Sequence, residues 1–123
     1  MKMLLLDVYN NEVKMVEANG LEDYYKYIGC RYIDIVRRTI GDLPVEIVCD
    51  DEATLCYDPK VSAIDVCGQA CLYGNLLIAG GEVIDGNLTE LTVGEIEYLK
   101  KYLVKIATTV YKEPFRVFWK VKY

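Results

Sequence analysis

The sequence predicts an α+β fold, with a mainly antiparallel sheet built from hairpins and two helices, in the order β-β-α-β-β-β-α-β. Apolar and polar residues alternate in several short segments that turn residues separate. Only two segments carry apolar residues at helical spacing. The chain has 123 residues, of which 53% are hydrophobic, so we expect a single domain over residues 1–123 with a buried core.

The first hairpin is predicted from two short segments on either side of Asn10-Asn11. Met3–Tyr9 is apolar and Glu12–Ala18 alternates loosely, as two strands around an asparagine turn would. A short helix is predicted after Asn19-Gly20, ending at Gly29, because apolar residues recur there with the spacing of one helix face. These residues are Leu21, Tyr24, Tyr25 and Ile28.

A second hairpin is predicted from Arg31–Ile40, the turn Gly41–Pro44 and the alternating segment Val45–Asp50. Ala53–Gln69 has a weak pattern and is predicted to be mostly loop. Ala70–Ala79 then reads as one strand with a bulge or bend in its middle.

The longest helix is predicted to begin at Thr92, since Thr92 and Glu95 have capping-box spacing. It is expected to fade near Thr108-Thr109, because β-branched residues are poor helix formers. The last strand is predicted over Phe115–Tyr123, and a turn is expected at Asp85-Gly86-Asn87.

Composition excludes several classes of function. A net charge of -5 argues against general nucleic-acid binding. The chain has no histidine, which removes the commonest general base and the commonest metal ligand. No phosphate-binding glycine loop is present. The five cysteines, with no signal peptide and no apolar run of membrane-spanning length, indicate reduced thiols in a cytosol. We therefore expect a binding protein rather than an enzyme, with no cofactor and no metal site.

Several segments resemble, in order and spacing, a phage and Clostridia-type domain family long classed as uncharacterised. They are Gly20–Tyr25, Ile28–Val36, Ile47–Ala53, Gly74–Ile78 and Leu91–Ile96, spread over roughly residues 20–103. Ala53, Thr54 and Gly94 depart from the family pattern. Within that family the chain looks most similar to the first described class of Thoeris anti-defence proteins, which are phage sponges.

The resemblance implies that the chain binds glycocyclic ADP-ribose, a signal made by bacterial TIR-domain immune enzymes, and sequesters it without degrading it. It also implies a homo-oligomer with ligand near subunit contacts, action in the cytoplasm of the infected bacterial host, and, for some members, cyclic trinucleotides at other pockets. No membrane partner is expected.

A cyclic nucleotide with a pyrophosphate needs cationic donors, a wall for the adenine and polar partners for the ribose hydroxyls. The first group of candidates is Arg31, Arg37, Arg38 and Arg116, which could equally be ordinary surface charges. The second is Tyr32, Phe115 and Phe118, which could equally be core or sheet residues. The third is Asp51, Glu52 and Asn75, of which the acidic pair could equally be a solvated hairpin end.

Two other functions compete with the sponge. A protein that blocks a host defence effector would use its acidic, tyrosine-rich surface and bind no nucleotide. A small hydrolase would use Asp50–Glu52 with a metal, but consecutive strand residues point to opposite faces and do not naturally converge.

Overall fold

The computed structural model describes residues 1–10, 12–52, 61–64, 70–103, 106–108, 115–117 and 119–120, with side chains for 1–10, 12–52 and 72–103. It confirms the α+β class, with two helices and a central antiparallel sheet. The helices are α1 (Leu21–Ile28) and α2 (Val93–Tyr102). The strands are β1 (Lys2–Asp7), β2 (Glu12–Glu17), β3 (Ile33–Ile40), β4 (Leu43–Asp50), β5 (Val61–Ile64), β6 (Ala70–Tyr73), β7 (Leu76–Gly80), β8 (Val83–Ile84), β9 (Asn87–Leu88), β10 (Ile106–Thr108), β11 (Phe115–Val117) and β12 (Trp119–Lys120).

The central sheet has five strands in the order β2-β1-β7-β4-β3, and each neighbouring pair is antiparallel. Both predicted hairpins are present: β1 pairs with β2, and β3 pairs with β4 from Ile33 opposite Asp50 to Ile40 opposite Leu43. β7 lies between the two hairpins and joins them. The two predicted hairpins therefore share one sheet, with β2 and β3 at its edges.

A buried apolar layer lies on each face of this sheet, because β7 and its neighbours β1 and β4 are apolar at nearly every position. On one face, Ile96, Leu99 and Leu103 of the α2 segment pack against the sheet. On the other face, Tyr24 and Ile28 of α1 do the same. The helices thus cover opposite faces and leave β3 at one edge.

Local signals set the start of α2 and the end of α1 as predicted. The Thr92 side chain accepts a hydrogen bond from the Glu95 N–H, and Glu95 accepts one from the Thr92 N–H, so the capping box is complete. Gly29 ends α1 with φ 75°, and its N–H donates to the Tyr25 carbonyl.

One predicted segment of the middle of the chain differs from the observed structure, and a second is described only in part. Ala70–Ala79 is not one strand: it breaks at Gly74, whose φ of 76° suits glycine, and yields β6 and β7. Within Ala53–Gln69, predicted to be mostly loop, the structure describes Val61–Ile64, which form β5, and the rest lies outside the described residues. The predicted turn at Asp85-Gly86 is confirmed: φ is positive at both residues, and they join β8 to β9.

The C-terminal part also differs from the prediction. α2 ends at Tyr102 rather than near Thr108, and Ile106–Thr108 forms a strand instead. The predicted strand Phe115–Tyr123 is represented by two short strands in different sheets. β11 pairs antiparallel with β10, while β12 pairs parallel with β5. No helix within the described ranges is long and apolar enough to cross a membrane.

Candidate functional site

The end of the second hairpin where β3 begins and β4 ends brings four predicted ligand residues together. They form the hairpin-end patch: Arg31, Tyr32, Asp51 and Glu52. The αL residue Gly29 turns the chain out of α1 toward this patch. The Asp51 N–H donates to the Tyr32 carbonyl at 3.1 Å, which fixes the two segments side by side.

The hairpin-end patch offers three kinds of contact. Arg31 and Asp51 are exposed, and 60% of Tyr32 is exposed, so a guanidinium, a carboxylate and an aromatic ring are open to a ligand. Glu52 is half-buried, and its N–H donates to Asp50 Oδ1 at 2.8 Å. Such groups can bond an anion, stack on a base and accept from sugar hydroxyls.

The other two arginines of the β3 region do not join this patch. From Tyr32 to Arg38 the strand runs about 20 Å. Adjacent strand residues point to opposite faces, so Arg37 lies on the α1 face and Arg38 on the α2 face. The three arginines that lie close together in the sequence therefore do not converge within one chain.

Arg37 and Arg38 each bond within the chain. Arg37 Nη1 lies 2.9 Å from Glu46 Oε1 and donates to the Gly81 carbonyl at 2.8 Å. Glu46 is 7% exposed, so Arg37 neutralises a nearly buried carboxylate. Arg38 Nη1 donates to the Arg37 carbonyl at 2.8 Å, while its Nε is buried with no hydrogen-bond partner in the structure.

Asn75, predicted to contact ribose, bridges three parts of the fold. Its Oδ1 accepts from the Val8 N–H at 3.0 Å, and its Nδ2 donates to the Tyr27 carbonyl at 3.3 Å. It stands just before β7 and ties that strand to the end of β1 and to α1. Both ends of the amide are bonded to backbone.

The remaining candidates belong to the C-terminal region. Phe115 and Arg116 lie on β11, where Arg116 stands opposite Ala107 of β10, and their side chains are outside the described residues. Phe118 lies outside the described residues altogether.

One thiol, Cys30, precedes the second hairpin and another, Cys49, lies within β4, and both are protonated at neutral pH. Burial, with Asp50 next, raises the pKa of Cys30 to about 11. Burial, with Asp34 next, also raises the pKa of Cys49 to about 11, although Arg38 opposes this shift. Nucleophilic cysteines need a lowered pKa, so neither thiol has the environment of a nucleophile.

An open surface groove of about 600 Å³, which sequence reasoning missed, lies between the turn of the second hairpin and the start of α2. Its lining residues are Asp42, Leu43, Thr92, Gly94, Glu95 and Tyr98. Tyr98 Oη accepts from the Asp42 N–H at 2.9 Å, and the Tyr98 ring lies 4.9 Å from that of Tyr102. Only the register of the turn against α2 creates this space, and no motif in the sequence signals it.

Among the residues with described side chains, no group of three or more His, Cys, Asp or Glu residues could hold a metal ion.

The comparisons with known proteins define the family of the chain. No curated protein and no solved structure matches the chain. Residues 1–104 match a domain of unknown function, DUF3846, and this match includes both helices and the whole central sheet. The chain belongs to the DUF3846 family.

Proposed function

We propose that this protein is a phage counter-defence sponge, which binds glycocyclic ADP-ribose and holds it without degrading it. The order and spacing of the sequence segments that resemble Thoeris anti-defence proteins suggest the ligand. The observation that carries the proposal furthest in the structure is the juxtaposition of Arg31 and Tyr32 with Asp51 and Glu52. One patch thereby offers the groups that a phosphate, an adenine and a ribose each require.

The hairpin-end patch suggests a division of roles. Tyr32, with 60% of its surface exposed, provides a face on which adenine can stack. Arg31 donates to a phosphate oxygen, and Asp51 accepts from ribose hydroxyls. One guanidinium next to carboxylates is too little charge for a whole pyrophosphate, so we expect further cationic groups at the bound ligand, with Arg116 the first candidate.

The lack of histidine supports storage of the ligand over its hydrolysis. Without histidine, the chain would have to draw a general base from carboxylates, lysines, tyrosines or thiols. The Cys30 and Cys49 thiols, with pKa values raised to about 11, supply no thiolate at neutral pH.

Calorimetric titration with glycocyclic ADP-ribose tests the proposal. We expect Tyr32→Ala and Arg31→Ala each to weaken binding by about tenfold or more, since a stacked ring or a charged hydrogen bond contributes roughly 1–3 kcal/mol. The matched controls are Tyr9→Ala, a tyrosine that is 55% exposed on the first hairpin, and Lys26→Ala, an exposed cation on α1.

If both control proteins bind with unchanged affinity, the weaker binding of the Tyr32 and Arg31 variants is due to the hairpin-end patch. Absence of any heat of binding by the wild-type protein would reject the proposal. Equal losses of affinity in the Tyr9 and Tyr32 variants would reject this patch as the binding site. They would not reject glycocyclic ADP-ribose as the ligand.

A protein-blocking function is the second candidate, and one surface feature favours it. The β8–β9 hairpin exposes two neighbouring apolar side chains, Val83 at 48% and Ile84 at 56%. Such a hairpin suits a protein partner. Co-purification with a host defence protein that Val83→Ser/Ile84→Ser abolishes, together with no nucleotide binding, would favour this function.

A further inference from the structure

β3 is an edge of the central sheet, and within the described part of the chain it pairs only with β4. In an antiparallel pair, backbone groups alternate between those that face the neighbour and those that point away. The Tyr32 carbonyl faces the β4 side, where it accepts from the Asp51 N–H. The odd-numbered residues, which include Ile35 and Arg37, therefore direct their backbone groups outward.

Side chains of the same strand occupy two of these outward groups. The Ile35 N–H donates to Asp34 Oδ1 at 2.9 Å, and the Arg37 carbonyl accepts from Arg38 Nη1 at 2.8 Å. Both bonds are local, made by residues adjacent to the backbone groups that they satisfy. A second strand laid along β3 would compete for the same donor and the same acceptor.

We propose that β3 is a self-pairing edge, which joins antiparallel to β3 of a second copy of the chain about a two-fold axis at Val36. In this register Ile35 of one copy lies opposite Arg37 of the other. The two residues exchange both backbone hydrogen bonds, as directly opposed residues of a hydrogen-bonded pair do. Within one chain, Asp34 accepts from the Ile35 N–H and Arg38 donates to the Arg37 carbonyl. Between two chains, the Ile35 N–H of one copy donates to the Arg37 carbonyl of the other.

The released side chains are complementary in the same register. Asp34 of one copy lies opposite Arg38 of the other, and the symmetry produces this pair twice. A shift of the axis to residue 37 would place Arg37 against its own copy, where like charges repel. A shift to residue 35 would leave Asp34 opposite Val36. The charges on β3 therefore select one register.

The exposed surface beside the edge fits the same partner. Ile35 is 44% exposed, and the side chain of Arg37 is 57% exposed, on the face that α1 covers only in part. Self-pairing lays each Ile35 against the aliphatic stem of the opposite Arg37. The edge thus supplies hydrogen bonds, charge pairs and apolar contact to an identical strand.

Sedimentation velocity across a concentration series tests the proposal on the full chain. The wild-type protein is expected to dimerise. Asp34→Lys and Arg38→Asp each create two like-charge pairs at the axis, so each variant should dimerise at least tenfold more weakly. The combined Asp34→Lys/Arg38→Asp protein restores opposite charges and should recover the dimer. Glu97→Lys, which reverses an exposed charge on α2, is the control and should match the wild type.

Mixing the two single variants is the sharpest test. In a mixed dimer the introduced lysine of one chain lies opposite the introduced aspartate of the other, and the remaining native Arg38 lies opposite the remaining native Asp34. Both pairs are attractive, so the mixture should dimerise more strongly than either variant does alone. A wild-type protein that stays monomeric up to about 0.1 mM overturns the proposal. Single variants that dimerise like the wild type, or a mixture that shows no gain, also overturn it.

Ile35→Pro keeps the test decisive if Arg38→Asp fails to fold. It removes only an outward N–H and leaves the ladder to β4 intact. We expect a folded monomer, with the far-ultraviolet circular dichroism of the wild type. A folded Ile35→Pro protein that dimerises with wild-type affinity would contradict the proposed pairing.

Discussion

The ion pair between Arg37 and Glu46 makes a quantitative prediction about stability. Arg37→Ala removes a guanidinium that lies 2.9 Å from the carboxylate of Glu46, whose side chain is 10% exposed. Breaking a fully buried pair costs about 3–5 kcal/mol. The Arg37 side chain is 57% exposed, so water replaces part of its interaction, and we expect a loss of about 2 kcal/mol.

Urea unfolding followed by circular dichroism measures this loss. For a chain of this size, about 2 kcal/mol corresponds to a midpoint about 1 M lower in urea and a melting temperature about 6–10 °C lower. Glu46→Gln in the Arg37→Ala background removes the unpaired charge, so the double variant should regain part of the stability. The control is Arg31→Ala, which changes an exposed arginine and should shift stability by less than about 0.5 kcal/mol.

The reasoning is refuted if Arg37→Ala unfolds at the wild-type midpoint, or if the two substitutions add without coupling. Arg37 was also a predicted phosphate contact, and the two roles separate in a binding assay. Well below its melting temperature, Arg37→Ala should bind glycocyclic ADP-ribose like the wild type if the arginine serves only Glu46.

Three further predictions concern the backbone and a thiol. Gly41→Ala should lower the free energy of unfolding by about 2 kcal/mol, against about 1 kcal/mol for Gly29→Ala. Both glycines have positive φ, but only at Gly41 would a Cβ lie 2.7 Å from a tyrosine oxygen. Equal losses of unfolding free energy in the two variants would show that this clash has no effect. Asn75→Ala should cost about 1–3 kcal/mol in urea unfolding, because it removes two hydrogen bonds to backbone, and an unchanged midpoint would contradict this structural role. Burial raises the pKa of Cys49 from 9.0 to about 11, so its contribution to stability is complete below pH 9 and is lost between pH 9 and 11. Cys49→Ala should flatten that fall, and rapid alkylation of Cys49 by iodoacetamide at pH 8 would disprove the shift.

Local rules predicted much of the fold. The alternation in Arg31–Ile40 and Val45–Asp50 predicted the second hairpin, because successive side chains of a strand point to opposite faces. It did not show that β4 is buried on both faces. The capping residues predicted the start of α2. These features depend on neighbours within a few positions, which the sequence displays directly.

The errors came from competition between local propensity and tertiary pairing. Apolar residues at helical spacing continue past Leu103 to Ile106, so the helix was predicted to continue, yet Ile106–Thr108 pairs with β11 as a strand. Alanine and β-branched residues at Ile106–Thr108 are compatible with a helix or a strand, and pairing with β11 stabilises the strand. The break at Gly74 likewise depends on the different partners of β6 and β7.

The candidate site was predictable only in part. The residue types of two pairs, Arg31–Tyr32 and Asp51–Glu52, identified them as candidates from the sequence. That the two pairs lie side by side depends on the β3–β4 register. Alternation already places Arg37 and Arg38 on opposite faces. The pairing of Arg37 with the nearly buried Glu46 requires that register too, so closeness in sequence overstated the arginine cluster.

Recovery of the ligand after unfolding tests the proposed storage function most directly. The protein is incubated with glycocyclic ADP-ribose and separated from free ligand by filtration, and the retained fraction is heated and analysed by mass spectrometry. We predict depletion of the free ligand, with intact glycocyclic ADP-ribose released on heating. An undepleted filtrate, or release of a hydrolysed product, would contradict the proposal.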